Sequence, residues 1–204
     1  MGNVVVMRAE DARRRELESE GWVVIARSFG ARLEAADVDQ TVLQEQIGKI
    51  SDPVQLTELD AGDANMILEL DQATADDYPG SVATQHEQMT ADEARPTDRR
   101  RAFGAVDKEG VLLAMTFVEV EVEGEVEGGV VDTDFTVVRA GFRRTGLGAA
   151  VKAYSILALL GEGALLFRTG GSADNAAIIG ANARLGYVRD EEWVTLAEPD
   201  HPAA

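Results

Sequence analysis

Residues 136–148, Thr-Val-Val-Arg-Ala-Gly-Phe-Arg-Arg-Thr-Gly-Leu-Gly, hold the side chains and spacing best suited to chemistry. An apolar run ends in a loop with Arg143, Gly146 and Gly148, and a helical pattern, Ala149 to Leu160, follows at once. Strand, glycine loop and helix together aim free N–H groups at an anion. The first turn of a helix has donors with no partner and a partial positive charge, and glycines let a phosphate approach the main chain. The glycines do not fit the three-glycine dinucleotide pattern, and no Gly-Lys-Ser/Thr opens the helix, so those two nucleotide-binding classes are set aside. An ordinary tight strand-to-helix turn would also account for a glycine pair standing alone.

The elements around this loop read in order. Residues 9–20 are charged and helix-compatible, Gly21 stops them, and Trp22 to Ala26 form a strand. Residues 34–52 read as a helix and linker ending at Pro53. Val54 to Leu59 make a strand, Asp60 to Asp63 a turn and cap, and Met66, Ile67, Leu70 and Ala73 a helical face. Residues 84–95 read as a second short helix that Pro96 stops. Two strands, 102–106 and 111–122, flank a turn at Asp107–Gly110, and residues 130–138 are a third. Beyond the loop and its helix come a buried strand at 164–169, a loop at 170–174, a helix at 175–185 closed by Gly186, and a last strand near 192–196.

Composition bounds the function. At 45% hydrophobic and 27% charged, the chain is an ordinary globular protein. Its net charge of −18 argues against nucleic acid or an anionic membrane as partner. It suits solubility or the attraction of a cationic, amine-bearing substrate. The absence of cysteine excludes disulfides and thiolate chemistry, and His86 and His201, far apart in the chain, build no histidine-based metal site or Ser-His-Asp triad unless His86 acts alone. No apolar run is long enough to span a bilayer and no targeting leader is visible, so the expectation is a cytoplasmic protein.

Two motifs carry a family resemblance. Arg143-x-x-Gly146-x-Gly148 resembles the R/Q-x-x-G-x-G/A signature of the GNAT superfamily of acetyl-CoA-dependent N-acetyltransferases. Thr169-x5-Asn175-x6-Asn182-x2-Leu-Gly-Tyr187 resembles that family's closing strand and helix. The strand and helix order of residues 54–197 is similar to the family's as well. The resemblance implies an α/β (α+β) fold with a mixed, mostly antiparallel sheet and a splayed central parallel strand pair. It divides the chain into residues 1–50, an N-terminal α–β appendage and linker, and 51–204, the GNAT domain. The first 33 residues resemble the closing piece of a second such unit. Such a piece cannot bury its apolar face alone, so it is expected to dock on the main domain or on a partner chain, where it would form the contact of a homodimer.

By the same resemblance, the main chain of Arg144, Thr145, Gly146, Leu147, Gly148 and Ala149 takes the pyrophosphate of acetyl-CoA, with Arg143 adding charge. Val137 and Val138 bond the pantetheine as a neighbouring strand would, and Asn175 contacts the CoA arm or simply caps its helix. Asn182 stands where many members have a tyrosine that protonates the departing thiolate. Asparagine has no such proton to give, though it can bond the sulfur. Tyr154 and Tyr187 are other acid candidates, and both also fit a core role. Asp134 and Glu119 are the preferred bases among Asp132, Asp134, Glu119 and Glu121, which also fit the solvated face of a sheet. Tyr78 and His86 fall in the segment that shapes the family's acceptor pocket. The implied reaction is direct acetyl transfer to a primary amine of a small molecule. The alternative is a CoA-binding regulatory module without turnover.

Overall fold

The computed structural model describes residues 3–50, 53–75, 88–121 and 129–199. Among these residues eight strands form one sheet: β1 (Val4–Arg8), β2 (Val23–Glu34), β3 (Gln55–Leu59), β4 (Arg100–Val106), β5 (Leu112–Glu121), β6 (Val130–Val138), β7 (Leu166–Ser172) and β8 (Val188–Ala197). Their order across the sheet is β1-β8-β2-β7-β6-β5-β4-β3. The helices are α1 (Arg13–Ser19), α2 (Gln40–Gly48), α3 (Ala64–Thr74), α4 (Leu147–Gly161) and α5 (Ala176–Arg184).

Two apolar layers flank the sheet. On one face α2 and α4 pack together through Leu43, Val151, Ile156 and Leu159, over Phe103, Leu113, Val118 and Phe167. On the other, Ile67 and Leu70 of α3 cover Ala102, Met115, Phe117, Phe135 and Val137. The helix starts are specified locally. The Asp39 carboxylate accepts from the N–H groups of Thr41 and Val42, at 2.9 and 3.2 Å, to open α2. Asp60 and Asp63 form a reciprocal capping box ahead of α3.

The N-terminal segment is built into the sheet. β2 pairs antiparallel with β7 from Ser28↔Ser172 to Glu34↔Leu166, and with β8 on its other edge from Val23↔Ala197 to Arg32↔Val188. β1 covers the outer edge of β8. Of the two expected docking modes, the chain therefore adopts the one within itself. A division at residue 50 runs through one continuous sheet, because β2 lies between two strands of the later segment. The strand expected at Trp22 to Ala26 extends to Glu34 for the same reason, since partners on both edges satisfy its backbone over its whole length.

Two other expectations are corrected. Gly170 and Gly171, read as a loop, belong to β7 and pair with Gly30 and Phe29. The described part of the expected second helix, residues 88–95, is irregular chain with a turn at 91–94. Within it Thr90 N–H donates to Glu93, whose own N–H donates to the Thr90 hydroxyl. Pro96 then stops the chain before a second turn can form. The buried Asp71 carboxylate of α3 accepts from Met89 N–H at 2.9 Å and ties this segment down.

The β2–β7 junction makes a prediction. A Cβ on Gly170 would lie 2.8 Å from the Phe29 carbonyl oxygen, whereas one on Gly171 meets only side chains, at 3.5 Å or beyond. Gly170→Ala should lower stability in urea titration by about 1–3 kcal/mol, and Gly171→Ala should cost well under half of that.

Candidate functional site

The candidate site lies where β6 and β7 part. These two parallel strands pair only through Val130↔Leu166, Val131↔Phe167 and Asp132↔Arg168. Beyond Asp132, β6 continues to Val138 on β5 alone, and beyond Arg168, β7 continues to Ser172 on β2 alone. A gap opens between two strand edges that have backbone groups to offer. Opposite the gap, the β5–β6 register slips between Phe117↔Phe135 and Val118↔Thr133, so Asp134 is the extra residue of a bulge.

At the open end of the gap the chain turns into α4. Arg144 has φ 62° and Gly146 φ 95°, and among the described residues no side chain caps the helix. The first helical bond runs from Ala150 N–H to the Gly146 carbonyl at 3.0 Å. Among the described residues, the N–H groups from Arg144 to Ala149 donate to no protein acceptor. Two left-handed residues this close together turn successive N–H groups into one concavity, at the positive end of a helix dipole. Gly146 is needed for its backbone angle, since a Cβ there would meet nothing within 4 Å. Gly148 is needed for space, because a Cβ would come within 3.2 Å of the Val138 side chain. Arg143 folds back to bond the Val138 carbonyl at 3.2 Å, and Thr145 bonds that of Phe142 at 2.6 Å. Val137 is buried and Val138 half-buried on the adjoining stretch of β6.

The closed end of the gap holds a polar cluster in the core. Lys152, on α4, is 4% exposed and donates to Thr169 Oγ1 at 2.9 Å and to Asn182 Oδ1 at 2.8 Å. Its Nζ lies 5.0 Å from the centre of the Tyr187 ring. Burial pulls its pKa down to about 7. Burial likewise pushes the Tyr187 phenol up; an interaction with Thr133 opposes this, and the charge of Asp132 adds to it. The Nδ2 group of the buried Asn182 has no hydrogen-bond partner among the described residues.

The expected residues do not all border this gap. Asn175 caps α5, its Oδ1 accepting from Ile178 N–H at 3.1 Å. Asp134 forms a 3.0 Å ion pair with Arg100, whose guanidinium also stacks over Phe117. Glu119 is exposed and lies in register between Arg100 and Asp132. Tyr154 packs edge-on against Phe103, in the core under β4. Tyr78 and His86 lie outside the described residues. Sequence reasoning missed Lys152. The available signal was its place on α4, three residues after Ala149 and four before Ile156, both buried.

A separate cavity of about 460 Å³ is lined by Glu58, Asp60, Asp98, Arg101 and Glu162 among others. Glu162 follows the C-terminus of α4, which puts this cavity roughly 20 Å from the loop. Arg101 bridges Glu58 and Glu162 across it, and holds the Glu162 carboxyl below its ordinary range.

Lys152 predicts a pH dependence of stability. Its pKa is near 7 in the fold against an ordinary 10.5, so between these values the unfolded chain binds more protons. Stability should therefore rise with pH across that window, by up to roughly 5 kcal/mol, and the rise should vanish in Lys152→Met. Urea midpoints from pH 7 to 10 measure it. A flat profile in the unsubstituted protein would contradict the burial of a titrating ammonium.

No protein-family model matches the sequence, and no curated protein sequence matches it. Solved structures do match. A GCN5-related N-acetyltransferase from Kribbella flavida superposes with a TM-score of 0.65 at 19% identity, over 98% of this chain and 69% of that one. A tandem GNAT protein from the clavulanic acid biosynthesis pathway gives 0.68 at 20%, over 98% of this chain and 64% of that one. A GCN5-related N-acetyltransferase from Sphaerobacter thermophilus gives 0.66 at 13%, over 100% of this chain and 62% of that one. The chain thus spans about two thirds of the length of these structures. With its sheet parting beside a glycine loop, this chain has the fold of the GCN5-related N-acetyltransferases.

Proposed function

We propose that the chain is an acyltransferase of the GNAT superfamily that moves an acetyl group from acetyl-CoA to a primary amine of a small molecule. One observation carries the reading: the unpartnered N–H groups of residues 144–149 stand at the mouth of the gap between β6 and β7. A long, thin ligand with a diphosphate at one end and amides along its arm matches both features. The N–H groups and Arg143 would hold the pyrophosphate. The free edge of β6 at Val137 and Val138 would bond the pantetheine amides, as an added strand does. Asn175, at the start of α5, would contact the same arm through the part of its amide not engaged in capping.

Bound this way, acetyl-CoA supplies an activated acyl carbon. The chain's own task is to fix the amine beside it, stabilise charge on the carbonyl oxygen, and accept a proton. Backbone N–H groups near the bulge at Asp134 are suited to the carbonyl oxygen. Asp134 or Glu119, through water, would take the proton, and Asn182 would face the sulfur. The net charge of −18 favours a cationic amine on approach. Tyr78 and His86 remain the proposed acceptor contacts, and the proposed location is the cytoplasm.

The Arg100 grip on Asp134 and the asparagine at position 182 favour a second reading, a CoA-binding regulatory module without turnover. Thiol release across a panel of amines separates the two. CoA binding with silence on every amine selects the module.

Acetyl-CoA at a hundredfold excess over Kd should stabilise the protein by about 2.7 kcal/mol, which for this size is a rise in Tm of roughly 5 °C or more. Gly146→Glu should remove that rise, placing a side chain at a positive φ and a negative charge in the phosphate cradle. Gly163→Glu is the control. It imposes the same φ of 95° beyond the other end of α4, again with open space around its Cβ, and should keep the rise. No shift at saturating acetyl-CoA in the unsubstituted protein would refute the proposed donor.

A further inference from the structure

Lys152, Thr169, Asn182 and Tyr187 occupy the point where the two strands part. Thr169 directly follows Arg168, the last β7 residue paired to β6, and the Tyr187 phenol interacts with Thr133, the next β6 residue after Asp132. A lysine is a poor choice for filling this space, since burying an ammonium opposes folding and a methionine would pack as well. The Asn182 amide is the second oddity. While Nζ is a donor, Oδ1 must face it, so the amide cannot flip. Nδ2 is thereby held buried, pointing away from Lys152 and without an acceptor. Native structures rarely leave such a donor unpaired unless something else meets it.

We propose that Lys152 is a positioning residue for acyl transfer: acting through Asn182, it fixes and polarises the Nδ2–H donor that meets the sulfur of the acyl donor. This rests on the acetyl-CoA reading above. When the amine nitrogen bonds to the acyl carbon and the carbon–sulfur bond breaks, the electron pair stays on sulfur. The amine gives its proton to water, and the sulfur takes one from water after release. The Lys152 cation, one amide away, lowers the energy of the sulfur anion, and that anion in turn favours the charged lysine. Burial leaves the lysine poised near neutrality, so small changes in its surroundings move its charge. The groups that face Nζ are the Thr169 hydroxyl, the Asn182 amide and the Tyr187 ring. Of these only Tyr187 titrates, and burial keeps its phenol neutral at working pH.

The test needs no turnover. Thiolate absorbs in the near ultraviolet, so CoA bound to the full chain can be titrated directly, with binding checked by calorimetry. The bound thiol should titrate measurably below free CoA, because ammonium and thiolate stabilise each other and the pair titrates together. Lys152→Met should bring it back toward the free value. Asn182→Asp keeps a partner for Lys152 but replaces the donor with an oxygen, and should do the same if Lys152→Met fails to fold. Bound CoA whose thiol titrates alike in all three proteins overturns the role of Lys152, even if Lys152→Met is slow. Calorimetry showing no CoA binding to the unsubstituted protein overturns this inference together with the acetyl-CoA reading.

Discussion

Everything in the candidate site depends on two neighbouring strands failing to pair along their length. Parallel strands ordinarily keep their ladder, because an unbonded backbone group out of water is costly. Here β6 and β7 leave each other after Asp132 and Arg168, and each survives because its other edge is fully occupied. β5 holds β6 through a bulged register, and β2 holds β7 to its last residue. The N-terminal strand is thus a support for the gap, since without it β7 would face open space on both sides beyond Arg168.

The gap is polar at both ends for different reasons. At its mouth the polarity is main-chain: donors at the start of α4, freed by left-handed turns and left uncapped. At its closed end the polarity is in side chains, where an ammonium, a hydroxyl and an amide meet in the core. The first arrangement lies open to solvent and costs little until filled. The second opposes folding at neutral pH. A fold that carries such a burden beside a strand divergence has been shaped by something other than stability.

Much of this was legible in the chain because the signals were local. Arg143, Gly146 and Gly148 are spaced by the needs of one turn, and the Asp and Asn caps declare helix starts within three residues. The polar stretch 84–95 misled, because in its described part the hydrogen bonds of Thr90 and Glu93 close a single turn and Pro96 allows no second one. The placement of β2 was hidden, because nothing in residues 23–34 says that the edges they need lie some 140 residues away, on β7, and further still, on β8. Lys152 was hidden differently. A lone lysine in an apolar helix resembles one that reaches out to water, and only Asn182 and Thr169, brought in from other elements, show that it turns inward.

β8 lies between β1 and β2, which precede it by the greater part of the sequence. On a ribosome, the opening strands emerge long before the strand that must enter between them. They cannot close their half of the sheet until residues near 190 have left the exit tunnel. The nascent chain must therefore keep two unpaired strand edges available through most of its synthesis. Its assembly is ruled by contacts among the most distant in sequence, which favours slow folding and exposes those edges to other chains meanwhile.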